Sequence, residues 1–282
     1  MTGSTDFEAE YNNRARVANH PEIIDGWQEN AAAWRAQMIS SDRCKPGISY
    51  GADPRQTIDL FLPETDRNGP IALFIHGGYW QAMAGNMFSH LARGLCEHEI
   101  PVAVMSYRLC PHVKVADIID DARSAVLALW TLHQRQVMPI GHSAGGHLAA
   151  CLLATEWQKL DPNLPESLVP AATAFSGLFD LDPIRHTSIN ETIGLTETSA
   201  WEASPLYWPV TSSVWFEAFV GSDESTEYHR QSDEIVAAWD KFGGHVQKKV
   251  VPNANHFNII NGLADPDSEE TIRLAVLAHS LE

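Results

Sequence analysis

The run Gly141-His142-Ser143-Ala144-Gly145 sets a serine between two glycines. It follows a short apolar stretch, 137–140, and opens a helical one that continues Gly146-His147-Leu148-Ala149. A serine in such a strand-turn-helix stands proud of its sheet, with its hydroxyl free to attack a carbonyl carbon. Flanking glycines let strand and helix pass close to the strained turn. The helix N-terminus behind Ser143 offers unbonded N–H groups to a developing anion. The chemistry of such a unit is acyl transfer through a covalent serine intermediate.

That chemistry needs a second source of N–H groups, a base and an acid. The loop His76-Gly77-Gly78-Tyr79-Trp80 directly follows the apolar run 71–75. Glycines there let the backbone approach a substrate oxygen, and each such donor contributes roughly 3–4 kcal/mol in the transition state. Thirteen histidines compete for the base. His256, in Pro252-Asn253-Ala254-Asn255-His256-Phe257, follows the last apolar run and is the best placed. His142 and His147 lie too near Ser143 in sequence to reach it, and His76 is expected to prop its own loop. A carboxylate is needed to hold the imidazole's tautomer and stabilise its cation. It should follow the run 214–220, where Asp223 and Glu224 both qualify.

The elements that must position these residues are legible as an alternation. Strands are expected at 58–62, 71–75, 101–105, 137–140, 172–175, 214–220 and 246–251. Helices are expected at 87–97, 115–134, 145–157, 227–242 and 271–279. Unbroken apolar strands separated by helices imply a mostly parallel sheet covered on both faces, the α/β class. Residues 1–50, with Trp27, Trp34 and an Ala31-Ala32-Ala33 run, are expected to form a helical extension. Residues 182–212 hold three prolines and no clear period, and are expected to make a cap or pocket wall. No repeat or linker divides residues 1–282, so one domain is expected. Trp80, with Trp201, Tyr207 and Trp208 from the excursion, is expected to wall an aromatic pocket.

Composition narrows the partners. The 282 residues carry 19 Lys+Arg against 36 Asp+Glu, a net charge of −17. A chain this acidic repels phosphate backbones, so nucleic acid is not expected. No stretch has the apolar length of a membrane span, and the N-terminal residues do not have a signal peptide's pattern. The cysteines 44, 96, 110 and 151 lie far apart without a CxxC pair, which points to reduced thiols and a cytoplasmic location. Neither a metal nor an organic cofactor is implied. The expected partner is a small molecule, and the chain is open to forming a homodimer.

With these motifs in place, the chain resembles the kynurenine formamidase (arylformamidase) group of α/β-hydrolases and its bacterial esterase relatives. The group's HGGxW motif stands at 76–80 and its G-x-S-x-G elbow at 141–145. Its acid-bearing stretch resembles Gly221 to Ser232, which includes Arg230-Gln231-Ser232. The resemblance implies an α/β-hydrolase fold with Ser143, Glu224 and His256 as the catalytic residues. It further implies that the N–H groups of Gly78, Tyr79 and Ala144 hold the oxyanion. Two positions depart from the pattern: Glu224 replaces the more usual Asp, and Thr226 stands where Pro is common. The implied substrate is a small ester or aryl amide, with N-formylkynurenine the family's named candidate. A general carboxylesterase, an acyltransferase and a non-catalytic binding protein on the same scaffold are the alternatives. Relatives that use an aspartate nucleophile are excluded by Ser143.

Overall fold

A computed structural model describes residues 5–211 and 213–281. Eight strands cross it: β1 (Cys44–Ser49), β2 (Thr57–Phe61), β3 (Ile71–Ile75), β4 (Val102–Met105), β5 (Val137–His142), β6 (Ala171–Phe175), β7 (Trp215–Gly221) and β8 (His245–Val251). Their order in the sheet is β1-β2-β4-β3-β5-β6-β7-β8. The pairs β1–β2 and β2–β4 are antiparallel, and all pairs from β4 to β8 are parallel.

The apolar runs explain this layering. Every residue of β3, β4, β5 and β6 is buried, as strands covered on both faces must be. Alternate residues of β3 serve two cores: Ile71, Leu73 and Ile75 one, Ala72 and Phe74 the other.

Eleven helices are labelled α1 (Phe7–Tyr11), α2 (Asn13–Arg16), α3 (His20–Ser40), α4 (Ala92–Glu97), α5 (Val115–His133), α6 (Ala144–Leu153), α7 (Trp157–Leu160), α8 (Asn190–Ile193), α9 (Glu197–Glu202), α10 (Thr226–Asp240) and α11 (Glu269–Ser280). Residues of α5, α6 and α10 join the first core; residues of α3, α4 and α11 join the second. All ten residues of α6 are buried, so this helix has no polar face.

The N-terminal expectation needs correction. Helices occupy only part of 1–50, and Cys44–Ser49 forms an edge strand. Pro46 and Gly47 are tolerated there because they fall in an irregularity of the pairing with β2, between Lys45 and Ile48, on an edge strand. Buried Asp59 of β2 holds the irregularity by accepting the Gly47 N–H at 2.8 Å and Arg35 Nε at 2.7 Å. The opposite edge, β8, is partly exposed and carries Lys248 and Lys249, charges that discourage pairing with another chain. Between β6 and β7, residues 182–212 contain α8, α9 and the 3₁₀ turns Pro183–His186 and Pro205–Tyr207.

Candidate active site

Ser143 sits between the end of β5 and the start of α6, at φ 57° and ψ −119°. A non-glycine residue in this region stores of order 1–3 kcal/mol of strain, which its surroundings must hold. They do so through the Ser143 N–H, which donates to Phe175 O at 2.8 Å, and the Ser143 carbonyl, which accepts His147 N at 3.1 Å. The two flanking glycines are obligatory. A Cβ on Gly141 would lie 1.9 Å from Gly145 O, and one on Gly145 would lie 2.0 Å from Ile75 O.

The sequence-predicted base and acid come together with this serine. Ser143 Oγ lies 3.0 Å from His256 Nε2, and His256 Nδ1 lies 2.8 Å from Glu224 Oε2. A carboxylate only accepts, which assigns the proton to Nδ1 and leaves Nε2 to accept from the serine hydroxyl. The other Glu224 oxygen accepts Ser176 Oγ at 2.6 Å and the Gly221 N–H at 2.7 Å. Asp223 is exposed, and its carboxylate accepts the hydroxyl of its neighbour Ser222 at 2.9 Å. The His256 ring packs between Tyr228 (centroids 4.6 Å apart) and His142 (5.0 Å). His142 Nε2–H donates to the His256 carbonyl at 2.8 Å. Burial pushes the His142 pKa down to about 3, so it stays neutral beside His256.

The loop after β3 lies against the serine: a Cβ on Gly77 would be 2.9 Å from Ser143 Cβ. His76 Nδ1–H donates to Gly77 O at 2.7 Å, and the Tyr107 hydroxyl donates to His76 O at 2.9 Å. A trans peptide points its N–H opposite its carbonyl, so pinning Gly77 O also aims the Gly78 N–H. His76 stacks on Tyr107 at 4.2 Å and is fully buried, and burial lowers its pKa to about 3. It props the loop, as its sequence position suggests. Gly78, Tyr79 and Trp80 then take three successive positive φ values, 109°, 48° and 56°. Ala144 is the first residue of α6, where no N–H has an intrahelical partner. These backbone groups and the serine hydroxyl can together bind a tetrahedral oxyanion.

Ser143, His256, Gly78 and Tyr79 line one cavity of about 600 Å³, a size suited to a small molecule. Its aromatic lining differs from the expected one. Trp80 is wholly buried and packs edge-on against His147 at 5.0 Å, because the left-handed turn throws its ring inward. Tyr207 and Trp201 stack on each other in solvent, 48% and 61% exposed. Trp208 packs against Arg123, away from the cavity. Tyr11, Trp27, Tyr79 and Phe257 take their place, and among its described residues the excursion contributes Ser188, Ile189 and Thr192. Tyr11 and Trp27 escaped prediction as site residues because they belong to the N-terminal extension.

The segment Gly221–Ser232 has a second role that sequence did not show. Arg230 pairs with Glu227 at 2.8 Å and Glu234 at 2.5 Å. Gln231 Oε1 accepts the N–H groups of Phe179 and Asp180, while its Nε2 donates to Tyr11 Oη at 2.9 Å. The run thereby ties α10 to the loop after β6 and to the N-terminal segment.

Comparison with known proteins agrees with this architecture. The profile of the BD-FAE family matches residues 58–206. The kynurenine formamidase of Salmo salar is 30% identical over 229 residues, covering 78% of this chain and 77% of that protein. A crystal structure from Silicibacter sp. tm1040, described as a candidate thioesterase, is 32% identical with a TM-score of 0.85. That match covers 95% of this chain and 98% of the other. Esterase B of Lactobacillus rhamnosis, inhibited by a tributyrin phosphonate, shares the fold at a TM-score of 0.67 and 21% identity, covering 93% of this chain and 94% of that one.

Proposed function

This chain belongs to the BD-FAE family and is an α/β-hydrolase of the esterase type, and from that premise we propose that it works through Ser143 as a covalent nucleophile. His256 Nε2 takes the serine proton as Oγ bonds to the substrate carbonyl carbon. The N–H groups of Gly78, Tyr79 and Ala144 hold the resulting oxyanion, and Glu224 holds the imidazolium. Collapse breaks the bond to the leaving alcohol or amine, which takes the proton back from His256. Water, deprotonated by the same imidazole, then attacks the acyl-serine; the acyl–Oγ bond breaks, His256 returns the proton to Ser143 Oγ, and the acid is freed. The observation that carries this reading is the unbroken series Ser143–His256–Glu224, at 3.0 and 2.8 Å, with Ser143 and His256 on the wall of the cavity.

The proposed substrate is an aryl formamide of the N-formylkynurenine type or a small aryl ester. The formamidase relatives support it, as does the aromatic lining of Tyr11, Trp27, Tyr79 and Phe257. Ring contacts of this kind contribute roughly 0.5–1.5 kcal/mol beyond area burial. A second reading, a general ester or thioester hydrolase, is favoured by the Silicibacter structure. The four cysteines are free buried thiols, which supports the reading of a reducing cytoplasm.

The test compares kcat/KM for N-formylkynurenine, aliphatic p-nitrophenyl esters and acyl thioesters, alongside fluorophosphonate labelling. Turnover of the formamide, with label on Ser143 and none on Ser143→Ala, is expected. Label on a different serine would overturn the mechanism. Esters or thioesters cleaved without the formamide would overturn the substrate and leave the mechanism standing.

A further inference from the structure

We infer that Asn13 is a positioning residue for the oxyanion loop, acting through Tyr79 and Tyr228, so that the N-terminal segment completes the site. The inference rests on the serine mechanism proposed above.

A proton inventory carries the argument. The Tyr79 hydroxyl has one proton and donates it to the Tyr11 carbonyl at 2.7 Å. The 2.8 Å contact between the Tyr79 and Tyr228 hydroxyls must then be donated by Tyr228. The Asn13 amide supplies the remaining two protons, one to Tyr228 Oη at 2.8 Å and one to Tyr79 Oη at 3.1 Å. Each proton has one destination, so the network has one direction and one geometry. Burial raises the pKa of both phenols above the ordinary value, which keeps those protons in place.

The two phenols held by this amide occupy the two ends of the chemistry. Tyr79 supplies a proposed oxyanion N–H from a backbone at φ 48°, a conformation that needs outside support. Tyr228 packs its ring on His256 at 4.6 Å. Asn13 is itself buried, and its segment is locked on both sides. Tyr11 Oη donates to Glu227 Oε2 at 2.8 Å. Glu10 Oε2 accepts Thr226 Oγ1 at 2.8 Å and Glu227 N at 3.0 Å, capping α10 from another element. Removing the Asn13 amide would leave two buried hydroxyls short of a donor and free the Tyr79 side chain to drift. A displacement of about 1 Å in such a group can cost on the order of 10²-fold in rate.

The experiment uses the full chain with p-nitrophenyl acetate as substrate and phenylboronic acid as an inhibitor that forms a tetrahedral adduct with the serine. Asn13→Leu keeps the volume and removes both donors; Tyr228→Phe keeps the ring and removes one. For Asn13→Leu, kcat should fall about 10- to 100-fold with KM within about twofold, and the boronate inhibition constant should rise with the loss of kcat. Tyr228→Phe should move the same quantities less far. Thermal melting establishes that each variant is folded; if Asn13→Leu is not, Tyr228→Phe decides alone. Wild-type kcat in the folded variant would overturn the inference. So would a rise in KM at constant kcat, which would make Asn13 a substrate contact. Persistent turnover in Ser143→Ala would sink the serine mechanism itself. An inactive Ser143→Ala beside a fully active Asn13→Leu would sink only the role of Asn13.

Discussion

Glu224 and Asp223 are neighbours in the chain and face opposite ways: Glu224 points inward to His256 Nδ1 at 2.8 Å, while Asp223 lies exposed. The inward carboxylate is held on its second oxygen by Ser176 and Gly221, so its direction is built in. Glu224→Gln should therefore lower kcat about 10³- to 10⁴-fold, since the amide favours the wrong imidazole tautomer. Asp223→Asn should stay within about twofold. Steady-state kinetics on both variants checks the assignment, and the reverse pattern would show the acid to be Asp223.

Backbone crowding at the elbow leads to a stability prediction. A methyl on Gly145 meets the Ile75 carbonyl at 2.0 Å, and backbone cannot step aside as a flexible side chain can. Gly145→Ala should cost about 3 kcal/mol or more. Gly26, inside α3, has nothing within 4 Å of the same methyl. Gly26→Ala should instead stabilise by about 0.4–1 kcal/mol through helix propensity and a less flexible unfolded chain. Urea unfolding of both variants tests the pair; equal effects would contradict the crowding argument.

Buried histidines set the acid limb of stability. Burial lowers the pKa of His76 and His142 to about 3 and of His90 and His147 to about 4. In the unfolded chain these groups protonate near pH 6.5, so below that pH the unfolded state binds more protons than the folded one. The stability they contribute is complete above about 6.5 and erodes as pH falls toward 3–4. Each neutral imidazole should steepen the loss by roughly 1.4 kcal/mol per pH unit. His147→Gln keeps a donor for the Ala203 carbonyl while removing the titration. Its unfolding free energy should fall less steeply than wild type between pH 6 and 4.5, and an unchanged slope would refute this account.

The parallel strands are legible in sequence because burial on both faces leaves an unbroken apolar run, as at Ile71–Ile75. The edge strand Cys44–Ser49 leaves no such trace. Lys45 pairs on one side only, Pro46 and Gly47 fall where the register shifts, and polar bonds from Asp59, 12 positions from Gly47 and 24 from Arg35, hold the region. The convergence of Ser143, His256 and Glu224 is legible because the chemistry proposed for them restricts residue type and chain order. The aromatic wall is not, because side-chain direction depends on backbone angles that composition does not reveal. Positive φ at Tyr79 and Trp80 sends one ring to the cavity and the other into the core. The clasp formed by Tyr11 and Asn13 is built from single polar contacts with no period.

Asn13 and Tyr228 are 215 positions apart, and Glu10 and Thr226 are 216 apart. Closing a loop of that length costs about 5 kcal/mol of chain entropy before any bond is made. During synthesis at roughly 5–20 residues per second, the segment of Glu10 and Asn13 waits on the order of 10–40 s for Thr226 and Tyr228 to be made. The strands that carry Ser143 can assemble in that interval, while the wall of the cavity that closes over the serine cannot. The bonds from Glu10 and Asn13 to α10 can therefore form only after β3 to β6 have been made, so the support they give the loop of Tyr79 comes later than the strand that carries Ser143.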